Sequence, residues 1–247
     1  MTLGLIAAGE GSRLRADGFD LPKGLVPLSG IPLIERTIRS FASLGIDRIS
    51  CIVNEESPAL VDFLERTSFG IPLSLLVRST PSSLHSLFAL APSLQSDRFF
   101  LATVDAVYRR DDLRRFVDAC SEHEDADGVL AVTDIIDDES PLSIAVDPDT
   151  FLVRSIGGDV AASPWVSGGL YHFSPRIFDR MEHALSIGMH RLRAFQSHLV
   201  SSGYRLIAHP FGTIIDVDHR SDVVRAEALI AEWESVEGRD ALSAPAR

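Results

Sequence analysis

Apolar stretches that alternate with helical periodicity restrict this chain to a small set of α/β folds. RISCIVN, IPLSLLV, RFFLATVD and DGVLAVTD are almost continuously apolar, and helical patterns lie between them. Strands of a parallel sheet have this composition because helices cover both faces of the sheet. Residues 1–135 are therefore expected to form an open, mostly parallel sheet with helices on both faces.

The second half of the chain has a different pattern. LSIAVDPDTFLVRSI predicts a hairpin that turns at residues 147–150, and WVSGGLYHF predicts a further strand, followed by a helix that begins at Ser174. We expect this half to form a lid or second lobe on the same sheet. The 247 residues suffice for one large core, so 1–236 are predicted to form a single domain and 237–247 a frayed tail.

Charge and cysteine content exclude several classes of partner. A net charge of -12 opposes a nucleic-acid surface, which needs basic patches, and no apolar run reaches the length of a membrane span. Neither a signal peptide nor a cysteine pattern typical of disulfides is visible, so Cys51 and Cys120 are expected to be free, buried thiols. We expect a cytoplasmic protein with small-molecule partners, and the sequence leaves homo-oligomerisation open.

The stretch LGLIAAGEGSRL joins a buried strand to a glycine-rich loop, and LPKG follows it. The loop could be a plain strand-to-helix turn. A dinucleotide fingerprint is disfavoured because Leu14 stands at the third glycine position and a polar loop ending in Pro22 follows where the helix should begin. A Walker phosphate loop fails as well, since Lys23 lies too far along the chain from Gly11.

What remains is a loop whose exposed backbone N–H groups can cradle a polyphosphate, together with Ser12 and Arg13. Lys23 follows this loop in the segment LPKG, and it is the only lysine among the 23 lysine and arginine residues. Lysine is a compact point charge on a flexible stem, whereas arginine is a broad planar fork. The exception at position 23 therefore points to a crowded anionic site.

LIAAGEGSRL followed by LPKGLVPLSGIPLIERTI resembles the N-terminal signature of the sugar-phosphate nucleotidyltransferases, which include NDP-sugar pyrophosphorylases and phosphoalcohol cytidylyltransferases. The resemblance implies a Rossmann-like, GT-A-like fold with a nucleotide-binding half (1–135) and an acceptor-binding half with the C-terminal helix (136–236). It also implies a reaction in which an NTP and a sugar phosphate or phosphorylated alcohol give an NDP-linked product and pyrophosphate, with Mg²⁺ as cofactor.

The resemblance also assigns the nucleotide site. Arg13 and Lys23 would be catalytic, with the glycine-rich loop and Arg13 on the β and γ phosphates and Lys23 directed to the α phosphate. RSTPSSLHSLFAL would face the base and ribose, although its serines can equally cap the helix that follows. The nucleotide-binding residues implied are Ala7, Ala8, Gly9, Gly11, Ser12, Arg13, Lys23, Thr80 and Ser83.

Acidic residues at two positions predict the metal ligands. Asp105 ends the stretch FFLATVD, which places a carboxylate at the carboxyl end of a central strand, where open α/β sheets bind ligands. In IIDVDHRSDVVRAEALI, Asp218 aligns best with the family's second metal ligand, and Asp216 is a close second. Oxygen ligands of this kind suit Mg²⁺. Helix capping is the alternative role, and it fits Asp222 better than the other two.

The acceptor site is less sharply defined. WVSGGLYHFSP resembles the segment that contacts the sugar or alcohol, although a double glycine in a strand can also mark a bulge. The Glu-Lys-Pro motif of several sugar-specific members is missing, and no second lysine exists, so arginine must meet the acceptor phosphate. The acceptor-binding residues implied are Ser167, Gly168, Gly169, Arg154 and Arg191, with Arg193 as a further candidate.

Substrate identity and two rival classes stay open at this point. The missing motif, and the similarity of ATVDAVY to the alcohol-phosphate cytidylyltransferases, predict a modest preference for CTP over UTP or dTTP. A non-catalytic nucleotide or sugar-phosphate binding module of the same fold is one alternative, opposed by the intact loop, lysine and aspartates. An NAD-dependent oxidoreductase is the other. It is opposed by Leu14 at the third glycine position and by the lack of a suitable acidic residue to bind the ribose, since Glu35 lies within a predicted helix.

Overall fold

The computed structural model describes residues 1–135, 141–157 and 163–243, with side chains described up to residue 235. The strands are β1 (Thr2–Ala7), β2 (Pro27–Leu28), β3 (Ile31–Pro32), β4 (Arg48–Val53), β5 (Leu73–Val77), β6 (Phe99–Thr103), β7 (Ala106–Tyr108), β8 (Gly128–Thr133), β9 (Ile144–Val146), β10 (Val153–Ile156), β11 (Val166–Phe173), β12 (Leu206–Pro210) and β13 (Ile214–Asp216). The helices are α1 (Ser12–Ala16), α2 (Leu33–Ala42), α3 (Pro58–Arg66), α4 (Ser83–Leu94), α5 (Arg110–Glu122), α6 (Met181–Ser186), α7 (Leu192–Ser201) and α8 (Arg220–Ser243), with 3-10 turns at Lys23–Leu25 and Pro175–Arg180.

Seven strands form the central sheet in the order β12-β8-β11-β6-β1-β4-β5. Only β11 runs antiparallel to its neighbours, β6 and β8, while the other adjacent pairs in this sheet are parallel. The predicted mixed, mostly parallel α/β sheet is confirmed. The carboxyl ends of β1, β4 and β6 consequently lie together at one edge, and the loops that leave them can meet there.

Helices cover both faces of the sheet, which explains the nearly unbroken apolar stretches. On one face, Leu3 and Leu5 of β1 belong to a core with Phe41 of α2. On the opposite face, Ile6 of the same strand packs in a second core with Phe195 of α7. Because successive strand residues point to opposite faces, the nearly unbroken apolar run from Leu3 to Ala7 in β1 fills both cores.

The second half of the chain is part of the sheet, so the expectation of a lid or second lobe is wrong. Strand β11 lies between β6 and β8 and pairs residues 170–173 with residues 99–102. Pairing with a central strand, rather than packing on the surface, is what a nearly continuous apolar strand requires. The predicted hairpin is confirmed as β9 and β10, which are antiparallel.

The last described element is α8, which continues to Ser243 and so passes the position where the tail was predicted to begin. Residues 244–247 lie outside the described residues, and the division of the domain into two halves stays a prediction. Cys51 and Cys120 are free and buried, as expected. Among the described helices, none combines the length and the apolar character that crossing a membrane requires.

Candidate active site

A cleft of about 460 Å³ opens at the carboxyl ends of the parallel strands. The loops after β1, β4 and β6 reach it, as does the turn before α8, so the sheet topology gathers side chains that are far apart in sequence. The residues that line it are Ile6, Ala8, Gly9, Glu10, Gly11, Ser12, Arg13, Lys23, Asn54, Thr80, Pro81, Ser82, Ser83, Ser86, Thr103, Val104, Asp105 and Asp218.

The glycine-rich loop forms one wall of the cleft as predicted, with one exception. Ala7 does not line it and is buried in the core at the end of β1. Gly11 has φ +59, and a Cβ there would lie 3.0 Å from Cβ of Lys23. This position therefore needs glycine for both its backbone conformation and its closeness to Lys23. Lys23 is too far along the chain from Gly11 for a Walker phosphate loop, but in space it is adjacent to the glycine-rich loop.

Lys23 lies between two of the predicted metal ligands. Its Nζ donates to Oδ2 of Asp105 at 2.5 Å and to Oδ1 of Asp218 at 2.6 Å. The lysine side chain is only 8% exposed. Burial favours the neutral amine, but the surrounding carboxylates, Asp105 foremost, raise the pKa of Lys23 above its ordinary value. The lysine is therefore charged at every pH at which the protein is expected to work.

The same ion pairs set the charge of Asp105. Burial alone would raise the pKa of this carboxyl, but the charge and hydrogen bond of Lys23 reverse the effect and leave the pKa below its ordinary value. Asp218 is shared with a second cation, since the Nη1 of Arg13 donates to its Oδ2 at 2.6 Å. Both predicted catalytic cations thus meet at Asp218, in the cleft.

The turn before α8 is held by a different aspartate, which leaves Asp218 available to the cleft. Oδ2 of Asp222 accepts from the backbone N–H of Asp218 at 3.0 Å and of His219 at 2.6 Å. Asp222 therefore takes the capping role that the sequence offered as an alternative. His219 stands just before the first residue of α8, Arg220.

The acidic residues fit a hard divalent cation that is completed by other ligands. The Oδ1 atom of Asp105 is buried without a hydrogen-bond partner among the described residues, which is unusual for a carboxylate oxygen. The described residues contain no group of three or more His, Cys, Asp or Glu side chains that could enclose a metal ion. Mg²⁺ suits such an open arrangement because it commonly keeps waters and binds substrate phosphates.

Asp216 faces a neighbouring cavity rather than the cleft itself. It ends β13, which pairs with β7 so that Asp216 lies opposite Ala106, and the next residue, Val217, donates its N–H to the Asp105 carbonyl at 3.1 Å. Asp216 contributes to the raised pKa of Lys23, so it belongs to the same electrostatic site. Of the two alternatives for the second ligand, only Asp218 lines the cleft.

The neighbouring cavity has a volume of about 310 Å³ and adjoins the cleft through Ser83, Thr103 and Asp105. We call it the acceptor cavity. Three of the predicted acceptor residues line it, together with Arg193, as do residues that the sequence analysis did not single out. The lining residues are Ser83, Thr103, Asp105, Leu142, Ser167, Gly169, Tyr171, Arg191, Leu192, Arg193, Gln196 and Asp216.

Two of the predicted acceptor residues do not line this cavity. Arg154 lies in the hairpin of β9 and β10, where its Nη2 donates to Oδ2 of Asp147 at 2.7 Å. Gly168 lines a smaller cavity beside it, and a Cβ there would come within 2.2 Å of Cδ1 of Ile214. Gly168 is therefore explained by packing, and Arg154 by an exposed ion pair.

The double glycine also marks a bulge, as the alternative reading proposed. The pairing of β11 with β8 shifts register between Ser167 and Tyr171. Gly169 has φ +71, which favours glycine, and a Cβ there would lie 2.9 Å from Oγ1 of Thr103. The bulge places Gly169 beside the acceptor cavity, so this glycine both forms the bulge and lines the cavity.

The segment before α4 joins the two cavities. Thr80 lines the cleft and its hydroxyl lies 2.6 Å from that of Ser86. Ser82 precedes the helix, but its side chain forms no capping bond to the backbone. The hydroxyl of Ser83 accepts from the N–H of Leu192 at 3.4 Å, which links α4 to the start of α7. Ser83 is thus placed where the cleft and the acceptor cavity meet.

Sequence reasoning missed several residues of the site. Asn54 follows β4 directly, so the rule that placed Asp105 at the end of β6 could have found it. Tyr171 lies in the quoted strand segment without any distinguishing spacing. Gln196 lies inside α7, where nothing in the sequence distinguishes it from a surface polar residue.

The sheet, the loop and the paired cavities define an α/β protein of the nucleotidyltransferase type. Residues 4–202 match the family model of the MobA-like NTP transferase domain. The chain belongs to this family, and it is a member of a nucleotidyltransferase enzyme family as the N-terminal signature implied.

Curated relatives carry related names. The low-salt glycan biosynthesis nucleotidyltransferase Agl11 of Haloferax volcanii is 26% identical over 250 residues, which cover 97% of this chain and 68% of that protein. The bifunctional IPC transferase and DIPP synthase of Thermococcus kodakarensis is 33% identical over 114 residues, which cover 46% of this chain and 25% of that protein. The UTP–glucose-1-phosphate uridylyltransferase AglF of Haloferax volcanii is 24% identical over 92% of this chain and 96% of its own length.

Solved structures show the same fold at low sequence identity. The inositol-1-phosphate CTP transferase from T. maritima superposes with a TM-score of 0.80 at 19% identity, covering 94% of this chain and 96% of that one. A UDP-glucose pyrophosphorylase from Acinetobacter baumannii gives 0.74 at 17% identity, covering 92% and 91%. The expected GT-A-like nucleotidyltransferase fold is confirmed.

Proposed function

We propose that this protein transfers a nucleotidyl group from an NTP to a sugar phosphate or phosphorylated alcohol, with release of pyrophosphate. The observation that carries the proposal is the position of Lys23. It bridges Asp105 and Asp218 in a cleft that adjoins a second cavity, so a cation cluster lies where a triphosphate and an acceptor phosphate could meet. Names of relatives that use glucose 1-phosphate agree with this assignment.

The chemistry needs positioning and charge neutralisation rather than a covalent intermediate. An oxygen of the acceptor phosphate attacks the α phosphorus of the NTP, and pyrophosphate leaves from the opposite side. The backbone N–H groups of the loop from Gly9 to Arg13 and the Arg13 side chain bind the β and γ phosphates. Lys23 exchanges its carboxylate partners for an α-phosphate oxygen and neutralises the charge that develops there.

Asp105 and Asp218 are the residues that would hold Mg²⁺, with Asp216 nearby. A bound magnesium ion would supply further electrostatic stabilisation of the phosphates. The protein carries a net charge of -12, yet its substrates are anions. Diffuse surface charge is screened over about 8 to 10 Å, so the local field for the phosphates would be set by Lys23, Arg13 and a magnesium ion held by the aspartates.

CTP is the nucleotide we favour, by a modest margin. The support is the resemblance of ATVDAVY to the alcohol-phosphate cytidylyltransferases and the name of the T. maritima neighbour. Other relatives are named for UTP, so the base is the least constrained part of the proposal.

A substrate panel tests the proposal. Pyrophosphate release is measured for CTP, UTP, ATP, GTP and dTTP, each with glucose 1-phosphate, mannose 1-phosphate, inositol 1-phosphate and phosphocholine, with Mg²⁺ present. Acceptor-dependent release with at least one pair is the expected result. Nucleotide binding without turnover by any pair would instead establish the non-catalytic binding module. Micromolar binding of a nicotinamide dinucleotide would revive the oxidoreductase.

A further inference from the structure

Gln196 is a buried polar residue in the wall of the acceptor cavity. It lies within α7 and has 0% of its surface exposed. Neither Oε1 nor Nε2 forms a hydrogen bond of good geometry with a described residue. The amide does lie beside the hydroxyl of Tyr171, where it slightly opposes the rise in the pKa of Tyr171 that burial causes.

An amide in this state reduces the stability of the fold. Burying a polar group without a hydrogen-bond partner is destabilising, whereas an apolar side chain of similar size would contribute favourable packing. Buried amides in native proteins are nearly always paired, so an unpaired one calls for a partner that is not part of the fold. The position of Gln196 on a cavity wall shows where that partner can come from.

The two parts of the acceptor cavity have different chemistry. The part shared with the nucleotide cleft carries Asp105, where an acceptor phosphate must lie to reach the α phosphate. The part outside the cleft carries the neutral polar groups of Gln196, Tyr171 and Ser167, and the two hydroxyl groups are hydrogen-bonded to each other at 3.0 Å. Three charged residues line the same part, namely Arg191, Arg193 and Asp216. An acceptor that fills this part of the cavity brings its alcohol portion to the Gln196 amide.

We propose that Gln196 is a specificity-determining residue whose side-chain amide binds a hydroxyl group of the acceptor, so that the acceptor is a polyhydroxylated alcohol or sugar phosphate. The inference rests on the proposed function. A carboxamide offers a donor and an acceptor, and a hydroxyl group can satisfy both. A site built to bind a hydroxyl discriminates strongly against an analogue that lacks it, because its polar groups are then left unpaired.

The cavity is poorly suited to phosphocholine or ethanolamine phosphate. Quaternary ammonium groups are bound by the faces of several aromatic rings, and Tyr171 is the one aromatic residue in the described lining. The charges of Arg191 and Arg193 are matched by those of Asp105 and Asp216, so the described lining carries no net negative charge that would select a cationic headgroup. A neutral alcohol bearing several hydroxyl groups can use the amide instead.

The experiment compares two variants that make the same chemical change. Gln196→Met removes the amide while keeping a similar side-chain volume, and Gln95→Met is the control because Gln95 is exposed at the end of α4. For the best acceptor of the panel, Gln196→Met is expected to lower kcat/KM about 10- to 100-fold, through the acceptor KM rather than the NTP KM. Gln95→Met should leave both values within about twofold.

Two further readouts separate recognition from structural damage. The melting temperature of Gln196→Met should equal or exceed that of the parent, because an unpaired buried amide is replaced by an apolar group. Deoxy analogues of the best acceptor are then tested with the parent protein. One analogue should be a poor substrate for the parent, and Gln196→Met should discriminate against it at least tenfold less.

The outcomes distinguish the two proposals. If no acceptor of the panel supports turnover by the parent, the proposed function fails. If the parent turns over a polyhydroxylated acceptor but tolerates the loss of each hydroxyl, or Gln196→Met keeps the full discrimination, the role of Gln196 is overturned while the function stands. Preference of the parent for phosphocholine would overturn the inferred substrate class. If Gln196→Met does not fold, the deoxy analogues still show with the parent protein whether a hydroxyl group of the acceptor is required.

Discussion

The nucleotide cleft and the acceptor cavity share Asp105 but are constructed differently. The cleft takes its main polar groups from loops that follow parallel strands, and charged side chains there bind each other: Lys23 pairs with Asp105 and Asp218. The acceptor cavity takes half of its lining residues from β11 and α7, and its buried amide at Gln196 lacks a described partner. In the cleft the main charged groups are already paired with each other, whereas in the acceptor cavity the buried amide is not.

This difference suggests different tasks for the nucleotide cleft and the acceptor cavity. A preassembled cluster of charges suits triphosphate chemistry, which is common to every substrate pair such an enzyme could use. Neutral donors and acceptors on a helix suit discrimination among alcohols, which differ in the number and position of their hydroxyl groups. Changes in the cleft should therefore reduce turnover for all acceptors, whereas changes in the acceptor cavity should act on some acceptors only.

The largest effect is expected from the carboxylates of the cleft. Asp105→Asn or Asp218→Asn should lower turnover at least about a hundredfold with every acceptor, because several kcal/mol of electrostatic stabilisation depend on these charges. Initial rates at saturating Mg²⁺ measure this. Asp118→Asn, on the exposed face of α5, is the matched control and should behave as the parent. Normal Mg²⁺-dependent turnover in both cleft variants would remove the metal assignment.

Lys23→Arg tests the geometry of the cleft at constant formal charge. A planar guanidinium does not fit between two carboxylates that one buried Nζ contacts at 2.5 and 2.6 Å, with Gly11 close to the lysine Cβ. We expect the fold to persist and kcat/KM to fall roughly ten- to a thousandfold, which corresponds to about 1.4 to 4 kcal/mol.

Steady-state kinetics with circular dichroism as the folding control decide the matter for Lys23→Arg. Activity within about twofold of the parent, which is under about 0.5 kcal/mol, would mean that Lys23 has no catalytic role that depends on lysine geometry. The chain has no other lysine at which a control Lys→Arg variant could be made, so Lys23→Met serves as the companion variant. It removes the charge as well and should be at least as impaired as the arginine variant.

Gly168→Ala tests the conclusion that one acceptor-side glycine is structural. The added Cβ would lie 2.2 Å from Cδ1 of Ile214, so the free energy of unfolding should fall by about 1 to 3 kcal/mol. Ile214→Val removes the colliding atom, and the double variant should therefore lose less stability than the two single variants added together. Urea denaturation measures all three. Strict additivity would show that this contact is not the cause.

Arg191→Met sharpens the comparison from the acceptor side. Loss of a cation from the cavity wall should raise the acceptor KM about tenfold and leave the NTP KM unchanged, as expected for a contact made to one substrate only. Arg154→Met is the matched control, since Arg154 pairs with Asp147 away from the cavity, and its activity should stay within about twofold. Equal effects of the two variants would contradict the placement of the acceptor phosphate.

Arg154 should instead affect the pH dependence of stability. The hydrogen bond from Arg154 is the largest of several, with others from Thr150 and Asp149, that lower the pKa of Asp147 to about 2, from 3.8. The contribution of this pair is therefore present above pH 4 and is lost as the pH falls toward 2. Since the pair is exposed, the effect is the smallest we expect, and thermal melts at pH 7 and pH 2 would detect it as a difference between parent and Arg154→Met that is largest at pH 7 and mostly lost at pH 2.

The sequence predicted the cleft much better than the acceptor cavity, for a physical reason. Apolar strands with polar residues at their carboxyl ends are visible in sequence, and the parallel topology brings those ends together, as for Asp105. Lys23 was visible as the lone lysine. By contrast, the insertion of β11 into the sheet depends on long-range pairing, and the burial of Gln196 depends on how α7 packs, which no local pattern encodes.

The same distinction explains the wrong and incomplete predictions. Arg154 was selected from a general need for an acceptor cation, and sequence separation does not show that its partner is Asp147 across a hairpin. Gly168 was selected by resemblance, and its packing against Ile214 could only be seen in three dimensions. Residue type and local position indicated the chemistry of the cleft, while the acceptor side required the fold.

The most direct test of the account is the stoichiometry of the complete reaction. Phosphorus NMR of the protein with CTP, the best acceptor of the panel and Mg²⁺ follows both products together. We predict equal amounts of pyrophosphate and of a product in which the α phosphate is joined to the acceptor phosphate, and neither without acceptor. Pyrophosphate or inorganic phosphate released without acceptor, or no product with any NTP and acceptor pair, would contradict nucleotidyl transfer between the cleft and the acceptor cavity.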